Sequence, residues 1–212
     1  METVKVLLVD DHEIIRTGLR TLLQREPDFT VVGEASDGRM AVQLAHELSP
    51  DVVVMDLTMP HLNGIDATRQ ALAVKPGMRV IGLSASGDDR MVVEMLRAGA
   101  VGHVNKTAAA PELINAIRTV LKGSFYFSPD IVARIAADNG GHAHSAFDRL
   151  SPREREVLQL ISEGKATKEV ASMLRVSIKT AETHRRNLMD KLHVDSVAEL
   201  TKYAIREGLT SA

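Results

Sequence analysis

The sequence predicts a doubly wound α/β domain with five parallel strands, followed by a small all-α domain of four helices. Through the first 122 residues, short β-branched runs alternate with amphipathic segments, and several of these runs are apolar throughout. Continuous apolar runs are typical of strands that are buried on both faces of a parallel sheet. The second domain follows from a change after Lys122, where strand-like runs stop and helical spacing becomes the rule toward the C-terminus.

Five apolar runs are predicted as the strands of the first domain, at residues 4–9, 30–33, 52–55, 79–83 and 101–104. Stripes at helical spacing lie between or after them. The clearest are Ile15, Leu19, Leu22 and Leu23, then Met40, Val42, Leu44 and Leu48, then Leu113, Ile114, Ile117 and Leu121. Five strand–helix units in one stretch of chain predict crossover connections and therefore a parallel sheet.

A linker is predicted between the two domains. Ser128 and Pro129 have the pattern of a capping residue followed by proline at the first helical position. Residues 139–145 are small and polar, which is typical of a linker. We therefore expect one domain at residues 1–122, a linker with a short helix at 123–146, and a helical domain at 147–212.

Capping residues and glycines mark the helices of the second domain. Ser151 and Glu154 form a capping box with Pro152 at the first helical position. The other expected caps and helix ends are Gly164, Thr167, Ser177, Ser196 with Glu199, and Gly208. A short second helix, followed by a turn and a longer third helix, predicts a helix-turn-helix.

Five chemically compatible side chains follow predicted strands, namely Asp10, Asp11, Asp56, Ser84 and Lys106. The carboxyl ends of the strands of an open α/β sheet line one crevice, so these groups should converge. Clustered carboxylates repel one another unless a cation lies among them, and oxygen ligands suit Mg²⁺. A carboxylate beside this ion can attack a phosphoryl group, whose charge Lys106 and Ser84 are suited to contact.

These motifs resemble the receiver domain of bacterial response regulators over about residues 3–122. The resemblance is carried by LVDDH at 8–12, MDLTMP at 55–60, Gly64, the Ser-Ala pair that begins at Ser84, and Lys106. It implies that the carboxylate within the second motif accepts a phosphoryl group from a sensor histidine kinase. The chain is then a phosphoacceptor and not an enzyme, beyond Mg²⁺-dependent self-phosphorylation and self-dephosphorylation.

The same resemblance assigns roles to individual residues. Asp56 is the implied phosphorylation site, and Ser84 and Lys106 would contact the phosphoryl oxygens. The implied Mg²⁺ ligands are Asp11, Asp56 and the backbone carbonyl of Thr58, with Asp10 assisting. His103 stands where the family often has an aromatic switch residue. One hypothesis is that His103 moves with Ser84 on phosphorylation and adds pH sensitivity, and the alternative is an ordinary partly exposed histidine.

The C-terminal quarter resembles the LuxR-type DNA-binding domain over about residues 148–209. The matching motifs are LSPREREVL at 150–158, Gly164, TAETH at 180–184 and the Lys-Leu pair that begins at Lys191. A receiver followed by this domain defines the NarL/FixJ class of response regulators. The resemblance therefore implies a transcription regulator that is controlled by phosphorylation.

Helical geometry selects the side chains that could contact DNA. Spacing places three apolar residues of the third helix inward, Ala181, Leu188 and Leu192. The same spacing places Lys179, Thr183 and Arg186 outward with Glu182 on a flank, and the resemblance implies that Glu182, Thr183 and Arg186 face base edges. The full set of predicted DNA-binding residues is Lys179, Thr180, Glu182, Thr183, Arg185, Arg186 and Lys191. Arg186 could bind guanine and Thr183 a thymine methyl group, and Glu182 could accept from cytosine N4. A solvated charge remains the alternative for Glu182.

The formal net charge of −2 is unevenly distributed. Residues 1–124 carry −3, residues 125–146 carry −1 and residues 147–212 carry +2. A charge of +2 is small for a DNA-binding domain, so a single copy should bind weakly and lose affinity with salt. We therefore expect activation to produce a homodimer, which places two recognition helices on one double-stranded operator.

The remaining expectations concern location, partners and alternatives. The sequence contains no membrane-length apolar run and no secretion signal, which favours the cytoplasm, and no cysteine. The expected partners are the kinase, the DNA operator and a second copy, with RNA polymerase as a further candidate. A haloacid-dehalogenase-like phosphatase is disfavoured because Thr58 stands where its second acid would be. Sparse aromatic residues disfavour a small-molecule sensor, but a receiver-like transcription factor that does not use phosphorylation remains an alternative.

Overall fold

A computed structural model of the chain describes residues 3–84, 89–107, 110–129, 131–133, 147 and 149–210, with the backbone alone at 89, 110 and 111. The chain divides into two compact units, Met1–Asn139 and Gly140–Ala212. The predicted linker at residues 139–145 lies outside the described residues. Within them, no helix combines the length and the apolar character needed to cross a membrane.

Strands and helices alternate in the described part of the first unit. In chain order they are β1 (Val4–Val9), α1 (Glu13–Leu23), β2 (Phe29–Ala35), α2 (Gly38–Leu48), β3 (Val52–Asp56), α3 (Gly64–Val74), β4 (Arg79–Ser84), α4 (Asp89–Arg97), β5 (Gly102–Asn105) and α5 (Ala110–Leu121). All neighbouring strands are parallel, in the order β2-β1-β3-β4-β5. This is the predicted doubly wound, flavodoxin-like arrangement, and the fold class is confirmed.

The strands differ from the predicted runs only at their ends. β2 extends to Phe29 and Ala35 because these residues pair with Val4 and Val9 of β1. β3 and β4 each continue by one residue, to Asp56 and Ser84. Pairing with a neighbouring strand adds polar and small residues that an apolar run does not mark. The five residues of β3 are all buried, as expected for a central strand.

Two helical stripes are partly wrong, and in α5 the exposed residue is Leu121, at 37%. In α2 the side chain of Met40 is 42% exposed, whereas Ala41 and Ala45 are fully buried in the core. Small side chains let α2 lie close to its neighbours, so the buried face is the one that carries alanine rather than the longest apolar residues. After α5, the helical backbone at residue 129 and at 131–133 follows Ser128, whose hydroxyl accepts a hydrogen bond from the N–H of Ile131 at 3.4 Å.

The described part of the second unit is helical. Its helices are α6 (Pro152–Ser162), α7 (Thr167–Met173), α8 (Ile178–Leu192) and α9 (Val197–Arg206). The predicted capping box of Ser151 and Glu154 is present, with Pro152 at the start of α6. Ala171 is buried in the same apolar cluster as Val157 of α6 and Ala181 of α8.

Three details of these helices correct the sequence-based expectations. Thr167 does not cap α7, because the helix begins with it and the N–H of Ala166 is bound by the Glu169 carboxylate at 2.7 Å. Ser196 caps α9, but the carboxylate of Glu199 accepts from the N–H of Asp195 at 2.9 Å instead of closing the box. The spacing of the last helix predicts that Val197, Leu200 and Ala204 face inward. Leu200 and Ala204 are buried, but Val197 is 39% exposed because it lies in the first, solvent-facing turn of α9.

Candidate functional site

Three of the predicted site residues are in direct contact at the carboxyl edge of the sheet. Asp10 follows β1 and Asp56 ends β3, and these strands are parallel neighbours, so the two carboxylates meet. Both are buried, with exposed fractions of 0% and 3%. Lys106 follows β5, and its Nζ lies 2.7 Å from Oδ2 of Asp10 and 2.8 Å from Oδ2 of Asp56. One ammonium group therefore bridges two buried carboxylates.

Asp11 completes an acidic cluster beside these residues. Ligand atoms of Asp10, Asp11, His12 and Asp56 all lie within 4.8 Å of one another, and Asp11 and His12 are exposed. Nδ1 of His12 is 2.8 Å from Oδ1 of Asp11. Three carboxylates in this space could hold a metal ion, and hard divalent cations prefer such oxygen ligands. The donor set thus fits the predicted ion through its carboxylates, and the imidazole of His12 would be the least suited member.

Arg16 anchors the loop that carries these acids, and sequence analysis did not find it. Its Nη1 donates to the backbone carbonyl of Asp10 at 2.6 Å, and its Nε lies 3.5 Å from Oε2 of Glu34 on β2. The N–H of His12 also donates to Oδ1 of Asp10, at 2.9 Å. A bond from one turn inside α1 back to the end of β1 depends on the tertiary position of the helix, for which the sequence offers no signal.

The surroundings of Asp56 raise the pKa of its carboxyl group. Burial raises the pKa of Asp56 to about 6, and the charge of Asp10 adds to this. The hydrogen bond from Lys106 and the backbone N–H of Thr58, at 3.4 Å from Oδ1, oppose the increase. Burial would lower the pKa of Lys106, but its two carboxylate partners outweigh that effect and raise it. The ammonium therefore stays charged, and Asp56 is mainly ionised at neutral pH.

Ser84 and His103, which were predicted to act together, are hydrogen bonded. Oγ of Ser84 lies 2.8 Å from Nε2 of His103, and the Ser84 carbonyl accepts from the N–H of Lys106 at 2.7 Å. The turn that follows is restrained by Asn105, whose Oδ1 accepts from the N–H of Thr107 at 2.9 Å. An asparagine side chain thus constrains the turn after β5.

The start of α3 lies against the backbone of the candidate phosphorylation site. The N–H of Gly64 donates to the carbonyl of Leu57 at 2.9 Å. A Cβ atom at Gly64 would lie 1.8 Å from the carbonyl oxygen of Asp56. Asn63, which is buried, caps α3 by accepting from the N–H of Asp66 at 2.9 Å. The glycine of the receiver-like motif therefore allows a close backbone approach.

In the second unit, α8 has the predicted inward and outward faces. Ala181, Leu188 and Leu192 are buried. The exposed residues include Lys179, Thr180, Glu182, Thr183, Arg186 and Lys191, whereas His184 and Arg185 are half-buried. A shallow polar depression of about 310 Å³ lies along the first half of this face, between Ser177 and Asn187. These side chains are thus available to a large ligand.

Lys191 differs from the other predicted DNA contacts because its ammonium is already paired. Its Nζ lies 2.8 Å from Oε2 of the buried Glu154. Burial alone would raise the pKa of Glu154, but the hydrogen bonds from Lys191 and Ser151 outweigh it and lower the pKa. Arg153, another basic residue at this end of α6, donates to the carbonyl of Leu174 at 2.6 Å.

Comparison with known proteins identifies both units. Residues 6–118 match the response regulator receiver domain, and residues 148–204 match the bacterial regulatory proteins of the luxR family. The chain is 39% identical over 210 residues to the transcriptional regulatory protein LiaR of Bacillus subtilis strain 168, covering 98% of this chain and 100% of LiaR. It is 35% identical over 207 residues to the response regulator protein VraR of Staphylococcus aureus strain Mu3, covering 98% and 99%.

Solved structures give the same result. The RcsB response regulator of Salmonella typhimurium is 30% identical with a TM-score of 0.64, over 96% of this chain and 97% of RcsB. A second similar structure is an RcsB–DNA complex, 30% identical with a TM-score of 0.57, over 95% and 98% of the two chains.

The chain therefore belongs to the response regulators of two-component systems. Its receiver and LuxR-type domains, in this order, make it a DNA-binding transcription regulator of the NarL/FixJ class. Members of this family are transcriptional regulators rather than classical enzymes.

Proposed function

We propose that this response regulator accepts a phosphoryl group on Asp56 from a sensor histidine kinase and thereby controls its own assembly on DNA. The observation that carries the proposal is the contact of Lys106 with both Asp10 and Asp56 at the carboxyl edge of the sheet. Of these two carboxylates, Asp56 is the one at which the receiver resemblance places phosphorylation. The structure also supplies a cation for the charge that phosphorylation adds.

The transfer step exchanges one bond to phosphorus for another. The phosphorus–nitrogen bond of a phosphohistidine breaks, a phosphorus–oxygen bond to the Asp56 carboxylate forms, and the imidazole of the kinase leaves with its electron pair. Asp56 can attack because its pKa of about 6 leaves it mainly ionised at neutral pH. Lys106 then contacts the added oxygens, and positioning and charge neutralisation supply most of the catalysis. A small phosphodonor should replace the kinase in the same step.

The acidic cluster would hold Mg²⁺ through Asp10, Asp11, Asp56 and the backbone carbonyl of Thr58. When bound, this ion neutralises charge on the phosphoryl oxygens during transfer. The three carboxylates support this assignment because their oxygen atoms already lie within one coordination-sized space. The same groups would serve self-dephosphorylation.

The output would be a dimer on a double-stranded operator. The exposed face of α8 offers Lys179, Thr180, Glu182, Thr183 and Arg186 for DNA contacts, and the half-buried Arg185 is a further candidate. Lys191 remains a candidate phosphate contact, although its ion pair with Glu154 already gives it the role of binding α8 to the start of α6. The RcsB structures support DNA and a second copy as partners, since they include a DNA complex and two dimers bound to two parallel DNAs. A cytoplasmic location and contact with RNA polymerase belong to this proposal.

Labelling with a small phosphodonor and Mg²⁺, followed by sizing and operator binding, tests the proposal. The wild-type chain should gain one phosphoryl group, form dimers and bind operator DNA more tightly, and Asp56→Asn should do none of these. Asp51→Asn is the matched control, because Asp51 is an exposed carboxylate just before β3. Label that persists in Asp56→Asn would place the acceptor elsewhere. Labelling without any change in assembly or affinity would favour the regulator that does not use phosphorylation.

A further inference from the structure

After α5 the chain runs back along the edge of the sheet. β5 is the edge strand, and Gly123, with a φ of +83°, turns the chain toward it. Tyr126 forms a parallel β-bridge with Gly102. The N–H of Tyr126 donates to the carbonyl of Val101 at 3.0 Å, and its carbonyl accepts from the N–H of His103 at 2.8 Å. Both backbone hydrogen-bonding groups of Tyr126 are therefore bound along β5.

Side chains also attach this stretch to the domain. We call residues 124–129 the exit segment, because they follow the last receiver helix. The side chain of Tyr126 interacts with Glu112 of α5, and burial together with this acidic group raises the pKa of the Tyr126 hydroxyl. Phe127 packs against the large apolar cluster of the domain, which includes buried residues of α2, α3 and α4. The exit segment is thus attached to α5 through Tyr126 and to the apolar core through Phe127.

His103 joins the exit segment to the candidate switch. Its backbone N–H is bound to Tyr126, and its ring nitrogen Nε2 lies 2.8 Å from Oγ of Ser84. We propose that Tyr126 is a positioning residue for the Ser84–His103 pair, and that the exit segment carries the effect of phosphorylation away from the receiver. This inference rests on the proposed phosphorylation of Asp56 and adds a path by which its effect leaves the receiver.

The route follows from the hydrogen-bonding capacity of a hydroxyl. A phosphoryl group at Asp56 adds about −1.5 to −2 charges and several strong acceptor oxygens. The hydroxyl of Ser84 has one proton to donate. Donation of that proton to a phosphoryl oxygen would draw Oγ of Ser84 away from Nε2 of His103, whichever of the two groups is the donor in that contact, and would so shift the His103 ring. Because the same residue binds Tyr126 through its backbone, pairing of the exit segment with β5 weakens with it.

Coupling of this kind is reciprocal. If phosphorylation loosens the exit segment, then loosening the exit segment must favour the phosphorylated arrangement by the same factor. A competing explanation is that Tyr126 only covers the edge of β5, as many proteins cover exposed edges. Under that explanation, phosphorylation leaves the Tyr126 hydrogen bonds unchanged, and this difference can be measured.

Amide hydrogen exchange of the full-length chain, with Mg²⁺ and with or without a small phosphodonor, separates the two explanations. Phosphorylation should accelerate exchange at the amides of His103 and Tyr126 about tenfold, as expected when roughly one hydrogen bond is lost. The amide of Val4 donates to Asp28 at 2.9 Å near the opposite edge of the sheet, and its exchange should not change. Asp56 labelling is measured in the same samples.

Two variants extend the test. Tyr126→Phe keeps the ring but removes the hydroxyl that interacts with Glu112, so operator affinity of the unphosphorylated chain should rise about threefold, and by reciprocity the fraction of Asp56 that is labelled at steady state should rise as well. His103→Phe removes the ring contact with Ser84, so phosphorylation should no longer alter exchange at Tyr126. Tyr203→Phe in the second unit is the matched control, and it should leave exchange at His103 unchanged.

Each possible result of these experiments either supports or overturns the role proposed for Tyr126. Labelled Asp56 with unchanged exchange at His103 and Tyr126 would overturn it and leave the proposed function intact. Wild-type operator affinity in Tyr126→Phe would overturn it as well. A chain that cannot be labelled at Asp56 would overturn the proposed function, and this inference with it.

Discussion

The Nζ atom of Lys191 lies 2.8 Å from Oε2 of Glu154, and the same carboxylate oxygen accepts from the N–H of Ser151 at 2.8 Å. The Glu154 side chain is 5% exposed and the Lys191 side chain 41%. One buried acid therefore caps α6 and binds the last turn of α8. This pair ties the helix that carries the candidate DNA contacts to the start of the unit.

Lys191→Gln should lower the stability of the second unit and leave its binding to DNA phosphates nearly unchanged. Loss of a charged, partly exposed hydrogen bond should lower the free energy of unfolding by about 1 kcal/mol. The salt dependence of operator affinity should stay close to that of wild type. Lys179→Gln is the matched control, because Lys179 is exposed on α8 and each lost phosphate contact reduces the salt slope by about 0.9. Equal slope changes in the two variants would restore Lys191 as a phosphate contact.

The same pair should also respond to acid. Glu154 has a lowered pKa in the folded chain, so its contribution to stability is present above the unfolded pKa and is lost as pH falls through the folded value. The destabilisation by Lys191→Gln should therefore shrink in acid, where protonation of Glu154 breaks the pair in the wild type as well. Urea unfolding of both chains at neutral and acidic pH checks this.

Asp56→Asn should stabilise the first unit at neutral pH. The pKa of Asp56 is raised from 3.8 to about 6, so the folded state binds this proton more tightly than the unfolded state does. The group therefore favours folding at low pH, and that contribution is lost as pH rises through about 6. Asparagine does not ionise, so the variant should gain roughly 2 kcal/mol relative to wild type between about pH 4 and neutral pH.

Hydrogen exchange of the slowest amides in β1 and β3, without Mg²⁺, measures this difference. Asp51→Asn is again the control, since Asp51 is exposed. A stability difference between Asp56→Asn and wild type that does not depend on pH would contradict a raised pKa of Asp56.

Lys106→Gln should make the acidic site bind Mg²⁺ more tightly. The Lys106 ammonium contacts both Asp10 and Asp56, so it competes with any cation that these carboxylates would hold. Removing one positive charge at this distance should increase Mg²⁺ affinity roughly tenfold, and it should destabilise the metal-free chain. Calorimetric titration with Mg²⁺ tests this, with Lys75→Gln as an exposed control. Weaker binding by Lys106→Gln would show that the ammonium organises the site instead of competing.

The sequence is sufficient to predict the sheet and the convergence of three candidate site residues. Apolar runs marked the buried strands, and a parallel sheet places their carboxyl ends side by side. Asp10, Asp56 and Lys106 could therefore be brought together without a structure, because each directly follows or ends a strand. Their contact depends on strand order, which the resemblance to receivers also implied.

Contacts made by long side chains and by segments outside the regular elements were not predictable. Arg16 reaches back to the Asp10 carbonyl, and Tyr126 pairs with β5 after a turn. Lys191 was assigned to DNA because basic residues on such a helix are usually exposed, and its partner Glu154 lies 37 residues away. These pairings depend on how helices pack, and neither periodicity nor local motifs encode that.

Glu182→Gln should change the base preference of the protein. Glu182 is exposed on α8, and a carboxylate can accept a hydrogen bond from cytosine N4. Against a panel of operators, the variant should lose about 1 kcal/mol or more at sites with cytosine at the contacted position and little elsewhere. Asp190→Asn, which removes an exposed charge from the same helix, should change affinity uniformly. A uniform effect of Glu182→Gln would mean that Glu182 is a solvated charge.

Gly64→Ala should impair phosphorylation through the backbone. The new Cβ atom would lie 1.8 Å from the carbonyl oxygen of Asp56 and 2.8 Å from its carbonyl carbon, so backbone atoms must move. Overpacking of this kind should lower the free energy of unfolding by about 1–3 kcal/mol. Displacement of the Asp56 carboxylate should slow labelling by a small phosphodonor at least tenfold, since misplacement by about 1 Å can cost a hundredfold.

Gly18→Ala is the matched control for this change. Gly18 lies inside α1, and a Cβ atom there would have nothing within 4 Å. Alanine should therefore stabilise the first unit by roughly 0.5–1 kcal/mol through helix propensity and leave the labelling rate unchanged. If Gly64→Ala were labelled as fast as Gly18→Ala, the close approach of α3 would not be what positions Asp56, and the glycine would serve only the packing of the loop.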